Sequence, residues 1–158
     1  MFKIGIIGCG KIAQVRHIPE YADHTQAELA GYYDLNTERA KELADRYGGT
    51  VYSSYEELLA DPSIDAVSVC VANNAHAKIT IEALHAGKHV LCEKPMAMDL
   101  ASCEAMVAAA KETGKYLMIG HNQRLAKAHA RARQLVAEDV IGDIVTFKSN
   151  FAHGGPET

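Results

Sequence analysis

This 158-residue chain has no apolar stretch that approaches the ~20 consecutive residues of a membrane-spanning helix, so no membrane partner is expected. It also has no run of like charges longer than a pair. With 16 Lys and Arg against 20 Asp and Glu and a net charge of −4, nothing marks a face for nucleic acid, and the expected partners are small molecules. The four cysteines, Cys9, Cys70, Cys92 and Cys103, show neither Cys-x-x-Cys nor Cys/His ligand spacing. That speaks against a disulfide framework and against a metal site, and leaves them as small core residues. No internal repeat, low-complexity tract or Gly/Ser linker is visible, and the length suits one domain with a proper core, single domains clustering around ~100–150 residues. Only Met1, Phe2 and Lys3 precede the first apolar run, which leaves no room for a signal peptide, so a cytoplasmic location is expected.

What is present begins at Ile4-Gly5-Ile6-Ile7-Gly8-Cys9-Gly10-Lys11-Ile12-Ala13, a buried-type strand set directly against a Gly-x-Gly-x-x-Ala turn. Gly8 suits the tight turn out of the strand. Gly10 lets the backbone approach a pyrophosphate with no Cβ in the way, and Ala13 keeps the following helix close to the sheet. Lys11, Ile12 and Ala13 open that helix, where unpaired N–H groups and the positive dipole end attract anions. A second strand, Ala27 to Tyr33, runs into Asp34, roughly 25 positions beyond Gly8, which is where an acidic residue grips the ribose diol of NAD. Asp34 equally suits a solvated loop or a cap for the helix that follows. Its coincidence with the glycine turn favours the cofactor reading.

Strand and helix signals then alternate, which predicts an α/β fold of the Rossmann type, a doubly wound parallel sheet with helices on both faces. The first helix is expected over 11–16, with Pro19 starting a separate short turn at 18–22. Asn36 caps a helix over 37–47 that Gly48-Gly49 ends, and Ser54 with Glu57 forms a capping box for 55–60. Ala66 to Val71 reads as a strand buried on both faces. A helix at 75–86, a strand at 88–92, a helix at 99–113 closed by Gly114 and a strand at 116–120 complete the pattern. From Arg124 the pattern shifts to one long basic helix, ended by Ile141-Gly142-Asp143. Val145, Phe147, Ser149 and Phe151 then alternate with polar residues as in a half-buried antiparallel strand. The expected organisation is therefore a dinucleotide-binding domain over 1–123, then the connecting helix and first strand of an incomplete, truncated α+β second domain over 124–158.

Three further clusters fall at expected carboxyl ends of strands, where ligands bind in open α/β sheets: Val71 to His76, Cys92 to Met96, and Gly120 to Arg124. With the opening turn, the Asn-x-x-His step from Asn73 to His76, the phrase Ala86-Gly87-Lys88-His89-Val90-Leu91-Cys92-Glu93-Lys94-Pro95 and the Arg124 segment ending in Ile141-Gly142, the chain resembles a known family. It is similar to the glucose-fructose oxidoreductase/inositol dehydrogenase/MocA (Gfo/Idh/MocA) family of NAD(P)-dependent sugar and polyol dehydrogenases, over about its whole length.

The resemblance implies a role for several residues. Glu93 resembles the residue that hydrogen-bonds near the nicotinamide ribose. Lys94 resembles the catalytic one, contacting that ribose and the reacting hydroxyl, where a cation stabilises a developing alkoxide. Asn73 and His76 fall where the nicotinamide pocket is lined, although His76 also suits a helix cap or a buried hydrogen-bonding role. Arg124 either contacts cofactor or substrate or merely starts the long helix. The implied cofactor is NAD, with NADP less favoured: Asp34 repels a 2′-phosphate and Leu35-Asn36 supplies no arginine, though Arg39 lies one helical turn away. The implied substrate is a sugar, polyol or related hydroxyl or carbonyl compound, and the full-length protein is expected to be a homo-oligomer. The family's Asp and His partners, spaced Asp-x-x-x-His, have no counterpart in the sequence. The chain by itself is therefore expected to bind cofactor without efficient turnover. The opening of the family's second domain matches the segment ending in His153-Gly154-Gly155-Pro156-Glu157.

Two other enzyme classes fit less well. A short-chain dehydrogenase needs Tyr-x-x-x-Lys, and none of the seven tyrosines has lysine four positions on. A nucleotide-dependent methyltransferase prefers glycine where Ile12 stands and has no use for Glu93-Lys94-Pro95. The alternative from another class is a dinucleotide-binding sensor module without turnover.

Overall fold

The computed structural model describes residues 1–150. Six parallel strands form one sheet in the order β3-β2-β1-β4-β5-β6. They are β1 Phe2–Ile7, β2 Ala27–Tyr33, β3 Thr50–Val51, β4 Ala66–Val69, β5 His89–Cys92 and β6 Leu117–Ile119. The helices between them are α1 Ile18–Ala22, which continues a widened π-type turn over Ala13–His17, then α2 Thr37–Tyr47, α3 Tyr55–Ala60, α4 His76–His85 and α5 Leu100–Thr113.

Alternation along β1 makes the sheet two-faced. Ile6 joins a core with Ala13, Ile18, Tyr32, Ala40 and Leu43. Ile7, one residue on, joins the opposite core with Leu58, Val67, Val69, Ile79, Leu84 and Met106. Side chains of successive strand residues point to opposite faces, so each face needs its own helical cover, and the doubly wound α/β architecture expected from the sequence is what forms. The single polar residue inside β4, Ser68, is fully buried between Val67 and Val69.

Register decides where a ligand can sit. Ile7 pairs with Tyr33 on one side and Val69 on the other, Val69 with Cys92, and Cys92 with Ile119. The strands thus end level, and the residues that follow them, Gly8, Asp34, Cys70, Glu93 and Gly120, emerge along one edge. The order reverses beside β1, with β2 to one side and β4 to the other, which opens the crevice used by ligands in such sheets.

The helix signals act locally. The Asn36 side chain accepts the Arg39 N–H at 3.2 Å, Ser54 Oγ the Glu57 N–H at 3.1 Å, and Asp99 Oδ1 the Ser102 N–H at 2.8 Å. Glu57 reaches back to the N–H and hydroxyl of Ser53, one residue earlier than a standard capping box.

Three expectations need correction. Pro19 does not start a separate turn, because helix runs unbroken over 11–22. The Ile18 N–H donates to Ala13 O, five residues back, and this widened turn lets a proline without an N–H stay inside the helix. The basic helix, α6 Lys127–Ala137, ends before Ile141-Gly142-Asp143. Its stop is Asp139 at φ 56°, with Asp139 N–H donating to Val136 O and Val140 N–H to Leu135 O, an arrangement in which a short polar side chain tolerates the left-handed conformation. No strand forms over 145–150. Strand backbone needs a neighbour for its N–H and C=O groups, and the described residues supply none there. Phe151 and the His153 to Glu157 run lie outside the described residues. The chain divides into two compact units, Met1–Gly120 and a second beginning at His121.

Candidate functional site

The turn after β1 is built on two glycines with different duties. Gly8 has φ +92°, and a Cβ placed on it would stand 2.6 Å from Cys70 O and 2.9 Å from Val71 N, so the position admits only glycine. Its N–H donates to Tyr33 O at 2.8 Å. Gly10 lacks a left-handed φ, and a Cβ there would meet nothing within 4 Å. That open space lies at the start of the first helix, beside first-turn N–H groups of Lys11, Ile12 and Ala13 that have no helical acceptor. Ala13 is fully buried against the sheet, as its position in the motif requires. The empty volume over Gly10 next to orphan donors fits a pyrophosphate.

Asp34 stands at the end of β2 with its side chain only 10% exposed. Its Oδ2 accepts the Cys9 N–H at 2.6 Å and its Oδ1 the Asn36 N–H at 2.7 Å, so the carboxylate ties the glycine turn to the β2 loop. The Arg39 guanidinium lies 3.6 Å from Oδ2. A carboxylate has about four acceptor sites, more than these two backbone donors use. Burial, reinforced by the Asp34 charge, pushes the Cys9 thiol up to about 12, so it stays an un-ionised core group.

At the end of β4, Asn73 is exposed on a 3₁₀ turn, Asn73–Ala75, that leads into α4. His76, at the first residue of α4, is 1% exposed. Its Nδ1 lies 2.7 Å from Pro95 O and its Nε2 3.2 Å from Val71 O. Both ring nitrogens of His76 thus face backbone carbonyls, one in the loop after β5 and one in the loop after β4, and a neutral imidazole donates to one of them.

Glu93 follows β5. Its Oε1 is 3.0 Å from His17 Nε2, and its Oε2 accepts the Lys94 N–H at 3.1 Å. Gly120, at the end of β6, makes room for it: a Cβ there would stand 3.0 Å from Oε1. The Lys94 side chain is exposed beside this half-buried carboxylate. Arg124 belongs to the second unit, on a 3₁₀ turn over Asn122–Leu125, where its N–H donates to His121 O at 3.0 Å.

The structure therefore brings Gly8, Gly10, Lys11, Ile12, Ala13, Asp34, Asn73, His76, Glu93 and Lys94 to one edge of one sheet. It also shows residues that sequence reasoning missed. His17 is 8% exposed, and its Nδ1 lies 3.2 Å from Ser68 Oγ, which is 2.9 Å from the Tyr21 hydroxyl. Burial raises the Tyr21 phenol above its ordinary range. Two signals pointed here: His17 lies four residues after Ala13, on the same helix face, and Ser68 interrupts an apolar strand. Among the described residues no three His, Cys, Asp or Glu side chains gather as a metal-binding group, and no helix is long and apolar enough to cross a membrane.

Comparison with known proteins bears on this geometry. Residues 2–121 match the sequence model of the Gfo/Idh/MocA group, described as an oxidoreductase family with an NAD-binding Rossmann fold. The 1,5-anhydro-D-fructose reductase of Ensifer adhaerens is 41% identical over 143 residues, which cover 90% of this chain and 43% of that protein. The myo-inositol 2-dehydrogenase of Thermotoga maritima is 32% identical, over 89% of this chain and 42% of that one. The crystal structure of KijD10, a 3-ketoreductase from Actinomadura kijaniata in complex with NADP and TDP-benzene, superposes with a TM-score of 0.82 at 34% identity. That match covers 90% of this chain and 44% of KijD10. The chain thus spans less than half the length of these relatives.

Proposed function

The chain belongs to the Gfo/Idh/MocA oxidoreductase family, and from that premise we propose that it is the NAD(P)-binding part of an enzyme that moves hydride between a nicotinamide cofactor and a sugar, polyol or related hydroxyl or carbonyl compound. The observation that carries the reading is the meeting, along one level sheet edge, of the open space over Gly10, the Asp34 carboxylate and the Glu93-Lys94 element. Bound there, the nicotinamide supplies the hydride chemistry. The chain's own residues do the rest. First-turn N–H groups hold the pyrophosphate, and the Asp34 carboxylate holds the adenosine ribose. Glu93 accepts from the nicotinamide ribose. Lys94, on the exposed side of that carboxylate, would place its ammonium beside the reacting hydroxyl and stabilise negative charge on that oxygen, while the proton passes to a base that this chain does not supply.

NAD is the preferred cofactor on this reading, since the Asp34 carboxylate repels a 2′-phosphate. Arg39 at 3.6 Å offsets part of that charge and keeps NADP within reach. Arg124 is assigned to cofactor or substrate contact on the family resemblance. By itself the 158-residue chain binds cofactor but turns over poorly. Holding two reactants in near-attack geometry is worth roughly 7–11 kcal/mol, and the chain carries no Asp-x-x-x-His pair to complete the proton path. Titration of the chain with NADH and NADPH, followed by cofactor fluorescence, tests the reading. Tighter binding of NADPH would remove the NAD preference, binding of neither would remove the dinucleotide site, and rapid polyol-dependent NADH formation would show that the catalytic site is complete without a second domain.

A further inference from the structure

We propose that His17 is a positioning residue for Glu93: through a buried chain of hydrogen bonds anchored in the sheet, it fixes the carboxylate and with it the Glu93-Lys94 backbone that faces the cofactor. The proposal rests on the reading of Glu93 as a cofactor contact. It concerns a residue outside the glycine turn and outside the Glu-Lys-Pro element.

Donor counting sets the direction of the chain. Glu93 as a carboxylate only accepts, so the ring nitrogen 3.0 Å from Oε1 must be the one that carries hydrogen, and His17 donates from Nε2. A neutral imidazole then has a lone pair on Nδ1, which accepts the Ser68 hydroxyl at 3.2 Å. Ser68 Oγ in turn accepts from the Tyr21 O–H at 2.9 Å. The other carboxylate oxygen accepts the Lys94 N–H at 3.1 Å. With a neutral ring every member has a partner. The reverse direction would aim a lone pair at the carboxylate.

The surroundings leave this chain little freedom. Ser68 is 0% and His17 8% exposed, and the Glu93 side chain is 14% exposed. Gly120 also lies close to Oε1, where a Cβ would stand at 3.0 Å. His17 also occupies the last residue of the widened helical turn. Four residues after the buried Ala13, it lies on the helix face turned to the sheet, and there it meets Ser68 of β4 and Glu93 after β5.

A role in packing alone and a role through Glu93 make different predictions, which a double-mutant cycle separates. His17→Ala should weaken NADH binding by about tenfold, the order typical when a partner behind a contact residue is lost. In a Glu93→Ala background the same change should cost less than about twofold. His17→Gln, whose amide can donate to Glu93 and accept from Ser68, should recover most of the affinity. Imidazole nitrogen NMR shifts of the wild-type chain should place the His17 proton on Nε2, a readout that needs no variant to fold. Wild-type affinity in His17→Ala, full additivity with Glu93→Ala, no recovery in His17→Gln, or a proton on Nδ1 alone would each overturn the proposal while NADH still binds the wild-type chain. Failure of the wild-type chain to bind NADH would instead overturn the cofactor reading, and the proposal with it.

Discussion

The two glycines of the turn after β1 should fail in opposite ways when given a side chain. In Gly10→Val the new atoms enter space in which no neighbour lies within 4 Å of the Cβ, and the backbone there is not left-handed. Folding stability should change by no more than about 0.5 kcal/mol, as for a surface substitution away from special geometry. The cofactor's pyrophosphate, however, needs that space. Excluding it should cost at least ~3 kcal/mol, a hundredfold or more in NADH affinity. In Gly8→Ala the Cβ would meet Cys70 O at 2.6 Å, Cys70 C at 2.7 Å and Val71 N at 2.9 Å, all of them backbone that no rotamer change can move. The left-handed conformation, φ +92°, adds about 1–2 kcal/mol, and forcing the β1 and β4 ends apart adds about 1–3 kcal/mol. Against a total stability of ~5–15 kcal/mol, that should lower the melting temperature by roughly 10 °C. Far-UV circular dichroism melts and NADH fluorescence titrations on both variants read the two effects separately. Undiminished affinity in Gly10→Val, or an unchanged melt in Gly8→Ala, would refute the division of labour.

Asp34→Ser removes the charge that opposes a 2′-phosphate and releases Arg39, so the affinity ratio of NADH to NADPH should fall by about tenfold, and an unchanged ratio would show that Asp34 does not set the preference. In a longer protein that contains the substrate-binding part, Lys94→Ala should slow hydride transfer by about 10²–10⁴-fold in single-turnover measurements, with NADH affinity within about twofold; a rate near wild type would remove Lys94 from the chemistry. Burial raises the Cys9 thiol to about 12 and the Cys92 thiol to about 11 from an ordinary 9.0. A group raised in the folded state stabilises fully below its unfolded value and loses that contribution as pH rises, so stability by urea unfolding should decline above pH 9, and Cys9→Ala should flatten the decline; an unaltered slope would show that the thiol ionises as easily folded as unfolded.

The frame of the fold was readable because its signals are short-range. Asn36, Ser54 and Asp99 each bond to an N–H three residues on, and Gly114 takes the left-handed conformation at the end of α5 whatever surrounds it. The level ends of the strands follow from the βαβ order, and they carry Gly8, Asp34 and Glu93 to one edge without further instruction. The segment over 145–150 shows the opposite case. Its alternation is a statement about two faces, but a strand also requires partners along its edges, and alternation says nothing of those.

The pairing of His17 with its neighbours was illegible for a related reason. Reading Pro19 as a break assumes an α-helix, in which its ring collides with the carbonyl four residues back. The actual turn bonds Ile18 N–H to Ala13 O, five residues back, so the collision never arises and the helix continues. The partners of His17, Ser68 and Glu93, are far away in the chain, and only the registers of β1 with β4 and of β4 with β5 bring them within hydrogen-bonding range. Spacing puts His17 on the helix face of Ala13, but it does not say which groups the imidazole meets there. A buried imidazole must find a partner for each ring nitrogen. Here one nitrogen faces Ser68, the only polar residue inside β4, and the other faces the carboxylate that the Gly120 backbone also closes upon.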